Sequence, residues 1–183
     1  ARLTAAADLL PAAAGLDVIG YACTSATAPL GATAVRDRIT AGLATRAVTD
    51  PLTAVLAQIA SLGLSRVGVL SPYAPQVGAP LLTALADAGI TVPDTMSFNE
   101  STEARVARID PASTFAAAEQ LAARTPMDGL FLSCTNLPTL PILRPLQAAL
   151  DIPVLSSNHA LAWHMTQLAG VQLNPLPDNR STK

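Results

Sequence analysis

Cysteine is scarce in this chain of 183 residues: there are two, and only two histidines. Neither Cys-x-x-Cys nor a paired-His spacing is present, so a zinc site is not expected and no metal is assigned. Two cysteines in a chain of this size do not make a disulfide framework. Reduced thiols and a cytoplasmic location are expected. Aromatic residues are 3% of the chain, and the few Lys and Arg are scattered. With neither a stacking platform nor a basic face, nucleic acid is excluded as a partner. No apolar run reaches the length of a membrane span. The Ala-rich start, residues 1–15, lacks a basic flank and reads as a small-residue helix rather than a signal peptide. A Gly-rich phosphate loop and a G-x-S-x-G elbow are missing too, so chemistry without a cofactor is expected. Half of the residues are hydrophobic and the net charge is −2. That gives core enough for one large domain or two small ones.

The two cysteines stand in matching places. Cys23 closes the run from Asp17, and Cys134 closes the run from Asp128; in both, the Asp lies six residues before the Cys and a Thr follows it. Between Asp and Cys lies a mostly apolar stretch of strand length. A strand-loop unit used twice would put a thiol just past the end of each strand, where open parallel α/β sheets hold their ligands. Two thiols facing each other across a crevice can move a proton or add to a double bond unaided. A single Cys reads more readily as a small buried hydrophobe; the matched contexts reverse this in favour of function.

Residues 18–23, 66–71, 129–134 and 154–157 are nearly continuous apolar runs and predict strands buried on both faces, hence a parallel sheet. Weaker strands are expected at 45–48 and within 91–98. Leu52, Val55, Leu56, Ile59 and Leu62 recur at helical spacing behind an Asp50 cap and Pro51. Further helices are centred on Leu81 to Leu85, Phe115 to Leu121 and Leu161 to Leu168, and residues 177–183 read as a frayed tail. The fold class is therefore α/β: two similar three-layer parallel-sheet halves related by a pseudo-two-fold, with the site between them. The expected division is a first half at residues 1–63, a second at 64–156, and a C-terminal helix and tail at 157–183 that packs back on the first. The first half is short of strands, as if residues before Ala1 were missing or a neighbouring copy in a homo-oligomer supplied them.

Around the thiols, Thr24, Ser25, Thr135 and Asn136 offer hydroxyl and amide donors suited to a carboxylate or an enediolate. Ser157 and Asn158 follow the last strand, where they either bind substrate or cap the next helix. Tyr73, after another strand, can donate to a substrate oxygen or simply cover a helix end. His164, beside Trp163, reads as structural.

The motifs Cys23-Thr24-Ser25, Ser71-Pro72-Tyr73, Ser133-Cys134-Thr135-Asn136-Leu137 and Pro153-Val154-Leu155-Ser156-Ser157-Asn158, with Trp163-His164 after them, resemble the Asp/Glu racemase superfamily. The nearest branch is that of maleate cis–trans isomerase and arylmalonate decarboxylase. The resemblance implies cofactor-independent chemistry beside the carboxylate of a small dicarboxylate or amino acid. It makes Cys23 and Cys134 the catalytic pair, and Thr24, Ser25, Tyr73, Thr135, Asn136, Ser157 and Asn158 the substrate-binding set. The expected activity is an isomerase, either racemase or cis–trans isomerase. The alternatives are a decarboxylase of malonate-type acids and a non-catalytic small-acid binding protein. Arylmalonate decarboxylases keep only the second Cys, so Cys23 argues for the isomerase side. The chain departs from the family in having no match to its N-terminal strand and Pro/Ser/Asn loop. It also has Glu103 near the place where some isomerases carry a substrate-contacting Asn.

Overall fold

The computed structural model describes residues 2–171. The expected tail at 177–183 lies outside the described residues.

Two parallel sheets form. The first pairs β1 (Val18–Gly20) with β2 (Ala47–Thr49). The second contains β3 (Val67–Ser71), β4 (Thr95–Ser97), β5 (Gly129–Leu132) and β6 (Val154–Ser156), in the order β4-β3-β5-β6, parallel throughout. The strands are shorter than the apolar runs that predicted them, so both thiols lie beyond the last paired residue.

Period-two alternation builds the larger sheet into a three-layer sandwich. Val67 and Val69 of β3, Phe131 of β5 and Leu155 of β6 face one core. That core is shared with α4 (Pro51–Ser61) and α5 (Pro75–Asp87), through Leu52, Val55, Ile59, Leu81 and Leu85. Leu70, Leu130, Leu132 and Val154 face the other way, onto α7 (Pro111–Arg124) and α8 (Leu143–Leu150). The cap of α4 is the one expected: Asp50 accepts from the N–H groups of Leu52 and Thr53, each at 2.9 Å. The last helix, α9 (Ser157–Ala169), packs on α4 and touches β1, β2 and β6. In the smaller sheet Ile19 and Val48 join Ala7 of α1 (Arg2–Asp8) with Val35 and Ile39 of α3 (Ala32–Thr40). Among the described residues β1 pairs only with β2, so its outer edge has no strand partner.

Four helices were not legible in the sequence: α2 (Thr24–Leu30), α3, α6 (Glu103–Val106) and α8. The first carries Pro29 within it and is polar at its start, and α6 is a single turn, so neither has a run of helical period. No helix among the described residues is long and apolar enough to cross a membrane.

The matched aspartates mark where strands begin, not where chemistry happens. Asp128 accepts from the N–H groups of Ser65 and Arg66 and stitches the starts of β3 and β5 together. Asp17 lies at the equivalent end of β1, where its carbonyl accepts from Ala47 N–H.

Candidate active site

In the larger sheet the chain runs from β3 outward to β4, then crosses back to place β5 on the other side of β3. Such a reversal opens a crevice outside the carboxyl ends of the two central strands. Tyr73 follows β3 there and Cys134 follows β5. Both are buried and lie in one cluster with Val106 and Leu137.

A set of hydrogen bonds locks the Cys134 loop onto the Cys23 loop. Ser157, the first residue of α9 and fully buried, is the hub: its Oγ accepts from Thr24 Oγ1 at 2.9 Å and from Cys134 N–H at 3.0 Å. Thr135 Oγ1 donates to the carbonyl of Ala22 at 3.0 Å. The residues on either side of Cys23 are thus each tied to the Cys134 loop, directly or through Ser157. Both cysteines are free, Cys134 buried and Cys23 half-buried.

Cys23 is the N-cap of α2, and its side chain makes no capping bond. The first-turn N–H groups of that helix are therefore left for an incoming acceptor. Ser25 Oγ sits 3.8 Å from Cys23 Sγ. Tyr21 also stands beside this thiol; burial first, and then the thiol itself, push its phenol up. On the other side, Cys134 Sγ accepts from Asn136 N–H at 3.3 Å. Burial pushes the Cys134 thiol up, and the charge of Glu103 pushes the same way. The Tyr73 hydroxyl and the Asn136 N–H oppose this without reversing it, so Cys134 is held as a thiol. Tyr73 is driven up mainly by burial and next by Cys134, so its phenol remains a donor at any working pH. It neighbours the hydroxyls of Ser133 and Thr24. Ser133 Oγ is buried without a partner of hydrogen-bonding geometry among the described residues, so its place beside the phenol is proximity only.

The nine residues singled out in the sequence do not all keep free donors. Asn158 Nδ2 gives one of its two N–H donors to the carbonyl of Thr135 at 2.8 Å. Asn136 Nδ2 is spent twice on Glu103, on its carbonyl and on Oε2, each at 2.9 Å. Thr135 is spent on Ala22. These three hold the loops, and Thr24 has given its one hydroxyl proton to Ser157, so Ser25, Tyr73 and Ser157 are left to face the thiols. Ser156, not Ser157, caps α9, accepting from His159 N–H at 3.3 Å. His164 bonds Thr49 at 2.7 Å through Nδ1, away from the thiols. Sequence reasoning passed over Tyr21, two residues before Cys23, and quoted Ser133 in the Cys134 motif without placing it in the substrate-binding set. No group of three or more metal-ligating side chains occurs among the described residues. An apolar pocket of about 190 Å³ between α5 and the β3–β4 edge shares Tyr73 with the site. Neither thiol lines it, so the thiols rather than this pocket locate the candidate chemistry.

Each of the two parallel sheets thus carries a thiol beyond the end of a strand. The family model described as arylmalonate decarboxylase matches residues 2–180, and the chain belongs to that family. Arylmalonate decarboxylase of Bordetella bronchiseptica is 31% identical over 119 residues, which are 64% of this chain and 50% of that protein. The chain thus spans about half the length of this curated relative. A crystal structure of arylmalonate decarboxylase superposes with a TM-score of 0.83 at 27% identity, covering 96% of this chain and 78% of the other. A maleate isomerase variant from Pseudomonas putida S16, solved with maleate, gives 0.81 at 26% identity, covering 93% and 70%. Relatives thus lie on both sides of the isomerase–decarboxylase divide, and the argument from Cys23 against the decarboxylase side is not decisive.

Proposed function

We propose that this protein is a cofactor-independent isomerase acting beside the carboxylate of a small dicarboxylate or amino acid, with Cys23 and Cys134 on opposite faces of the reacting carbon. The observation that supports this reading is the interlock of the two cysteine loops through Ser157 and Thr135. In racemisation Cys23, as thiolate, takes the α-proton. The C–H electron pair moves into the carboxylate to give an enediolate. The Cys134 S–H then delivers its proton to the other face, leaving one thiol and one thiolate as before. In cis–trans isomerisation Cys23 sulfur adds to one alkene carbon and Cys134 protonates the other; rotation about the new single bond and the reverse elimination follow. The raised thiol of Cys134 suits the proton-donor role in both. The enediolate is the difficult intermediate. Tyr73, Ser157 and the first-turn N–H groups of α2 would receive its charge, each worth about 3–4 kcal/mol of barrier.

A second reading has its own support in the family match: decarboxylation of a malonate-type acid. There the C–CO₂ bond breaks, its electron pair forms the same enediolate, and Cys134 supplies the proton. A panel of small carboxylates incubated in D₂O and followed by NMR separates the two. Racemisation gives deuterium at the reacting carbon and cis–trans isomerisation gives the other alkene isomer, both with no CO₂ released, and either is lost in both Cys23→Ser and Cys134→Ser. Decarboxylation releases CO₂ and survives Cys23→Ser. Binding with neither outcome would leave a small-acid binding protein.

A further inference from the structure

Glu103 is the one carboxylate among the described residues whose charge bears on Cys134, and it is exposed to solvent. It begins α6, the turn whose Val106 is buried against Cys134, Tyr73 and Leu137. Asn136 grips it by two bonds, one to the backbone carbonyl and one to Oε2, and the N–H of the same Asn136 donates to Cys134 Sγ. The carboxylate is therefore fixed relative to the thiol by a single intervening residue. Oε1 makes no hydrogen bond among the described residues, and no cation there pairs with Glu103: its neighbour Arg105 is engaged with Glu100 at 3.3 Å. Every other polar group around the two thiols is neutral: Thr24, Ser25, Ser133, Ser157 and Tyr73. The site has a donor-rich side, suited to a carboxylate, and one anionic point next to Cys134.

We infer that Glu103 determines specificity by receiving an ammonium group on the substrate's reacting carbon, so that the substrate is an α-amino acid and not a dicarboxylate. This rests on the two-thiol reading above and sharpens it. A substrate carboxylate seats on the neutral donors. A second carboxylate would meet Glu103 and be repelled, whereas an ammonium would complete its open oxygen with a charge-assisted hydrogen bond. Burial keeps Cys134 protonated, which is the state a proton donor needs, and the fixed carboxylate adds to it.

The test uses matched acids that differ only in this group: alanine against methylmalonate, and phenylglycine against phenylmalonate. In the full-length protein each acid is assayed for turnover in D₂O and for protection of the cysteines against iodoacetamide. The wild-type protein should prefer the amino acid of each pair. Glu103→Gln keeps the bond from Asn136 but removes the charge. It should erode that preference by at least about tenfold, the size of one charge-assisted bond at a partly exposed site. The change should appear in protection as well as in turnover. Wild-type preference for the malonates, unchanged in Glu103→Gln, would overturn the role of Glu103 and leave the thiol pair standing. Failure of all four acids to turn over or to protect either cysteine, in both proteins, would remove the two-thiol reading and this inference together.

Discussion

Replacing Ser157 by Ala tests the hub of the site. The hydroxyl is fully buried and accepts two buried donors, the Cys134 N–H and the Thr24 hydroxyl. Losing a hydrogen bond costs little net, but leaving a buried donor unsatisfied costs about 1–3 kcal/mol. The Thr24 hydroxyl can turn towards Tyr73, whereas the Cys134 N–H is fixed by the backbone. The expected loss is about 2–4 kcal/mol, a large share of the 5–15 kcal/mol typical of a domain. Urea denaturation should show a lower midpoint with an unchanged slope. Thr24→Val alone should cost about 1 kcal/mol. The double variant should cost less than the sum by about 1 kcal/mol, because removing both partners leaves no orphan between them. Activity should fall on the order of 100-fold in Ser157→Ala, since the thiols lose their register by a fraction of an ångström or more. A Ser157→Ala protein within about 0.5 kcal/mol of wild type, with strict additivity in the double variant, would refute the claim that this hydroxyl clamps the two loops.

Three further outcomes are expected. Cys134 and Tyr73 are both held protonated in the fold, so above a pH of about 8.5 the unfolded chain releases protons that the native state keeps. Stability should be full below that pH and fall above it, by up to about 1.4 kcal/mol per pH unit for each group; Cys134→Ser should remove the thiol's share, and a flat profile to pH about 10.5 would contradict both assignments. Asp128 behaves oppositely: burial pushes its carboxyl up, but the N–H groups of Ser65 and Arg66 outweigh this and hold it low. Its contribution is present above a pH of about 4 and is lost as pH falls through the lowered value, so in acid titrations Asp128→Asn should flatten this part of the curve. A Cβ at Gly42 would lie 2.2 Å from the backbone oxygen of Thr4, whereas one at Gly20 would meet the movable Met165 sulfur at 2.6 Å. Thermal melts should therefore rank Gly42→Ala as the more destabilised, by about 1–3 kcal/mol, through separation of α1 from α3.

Local pattern was enough to find the strands, because those buried on both faces read as continuous apolar runs, and enough to cap α4 at Asp50. It also found the two thiols, since a repeated strand unit leaves its mark in spacing. The matched aspartates that helped reveal that repeat turned out to serve the far ends of the strands. What side chains do with their hydrogen bonds was not legible. Asn136 and Asn158 have the chemistry of substrate donors, yet Asn136 spends both amide protons on Glu103 and Asn158 spends one of its two on the Thr135 carbonyl. Ser157 resembles a helix cap by position, but Ser156 takes that duty and frees Ser157 to join the two cysteine loops. Partners separated by more than 100 residues, such as Thr24 and Ser157 or Ala22 and Thr135, meet only because α9 returns to lie against both sheets. Sequence determines which groups exist and which faces they bury. The crossing of β3 and β5 and the return of α9 decide which of those groups stand together and which donors remain free, because both depend on contacts that no local period encodes.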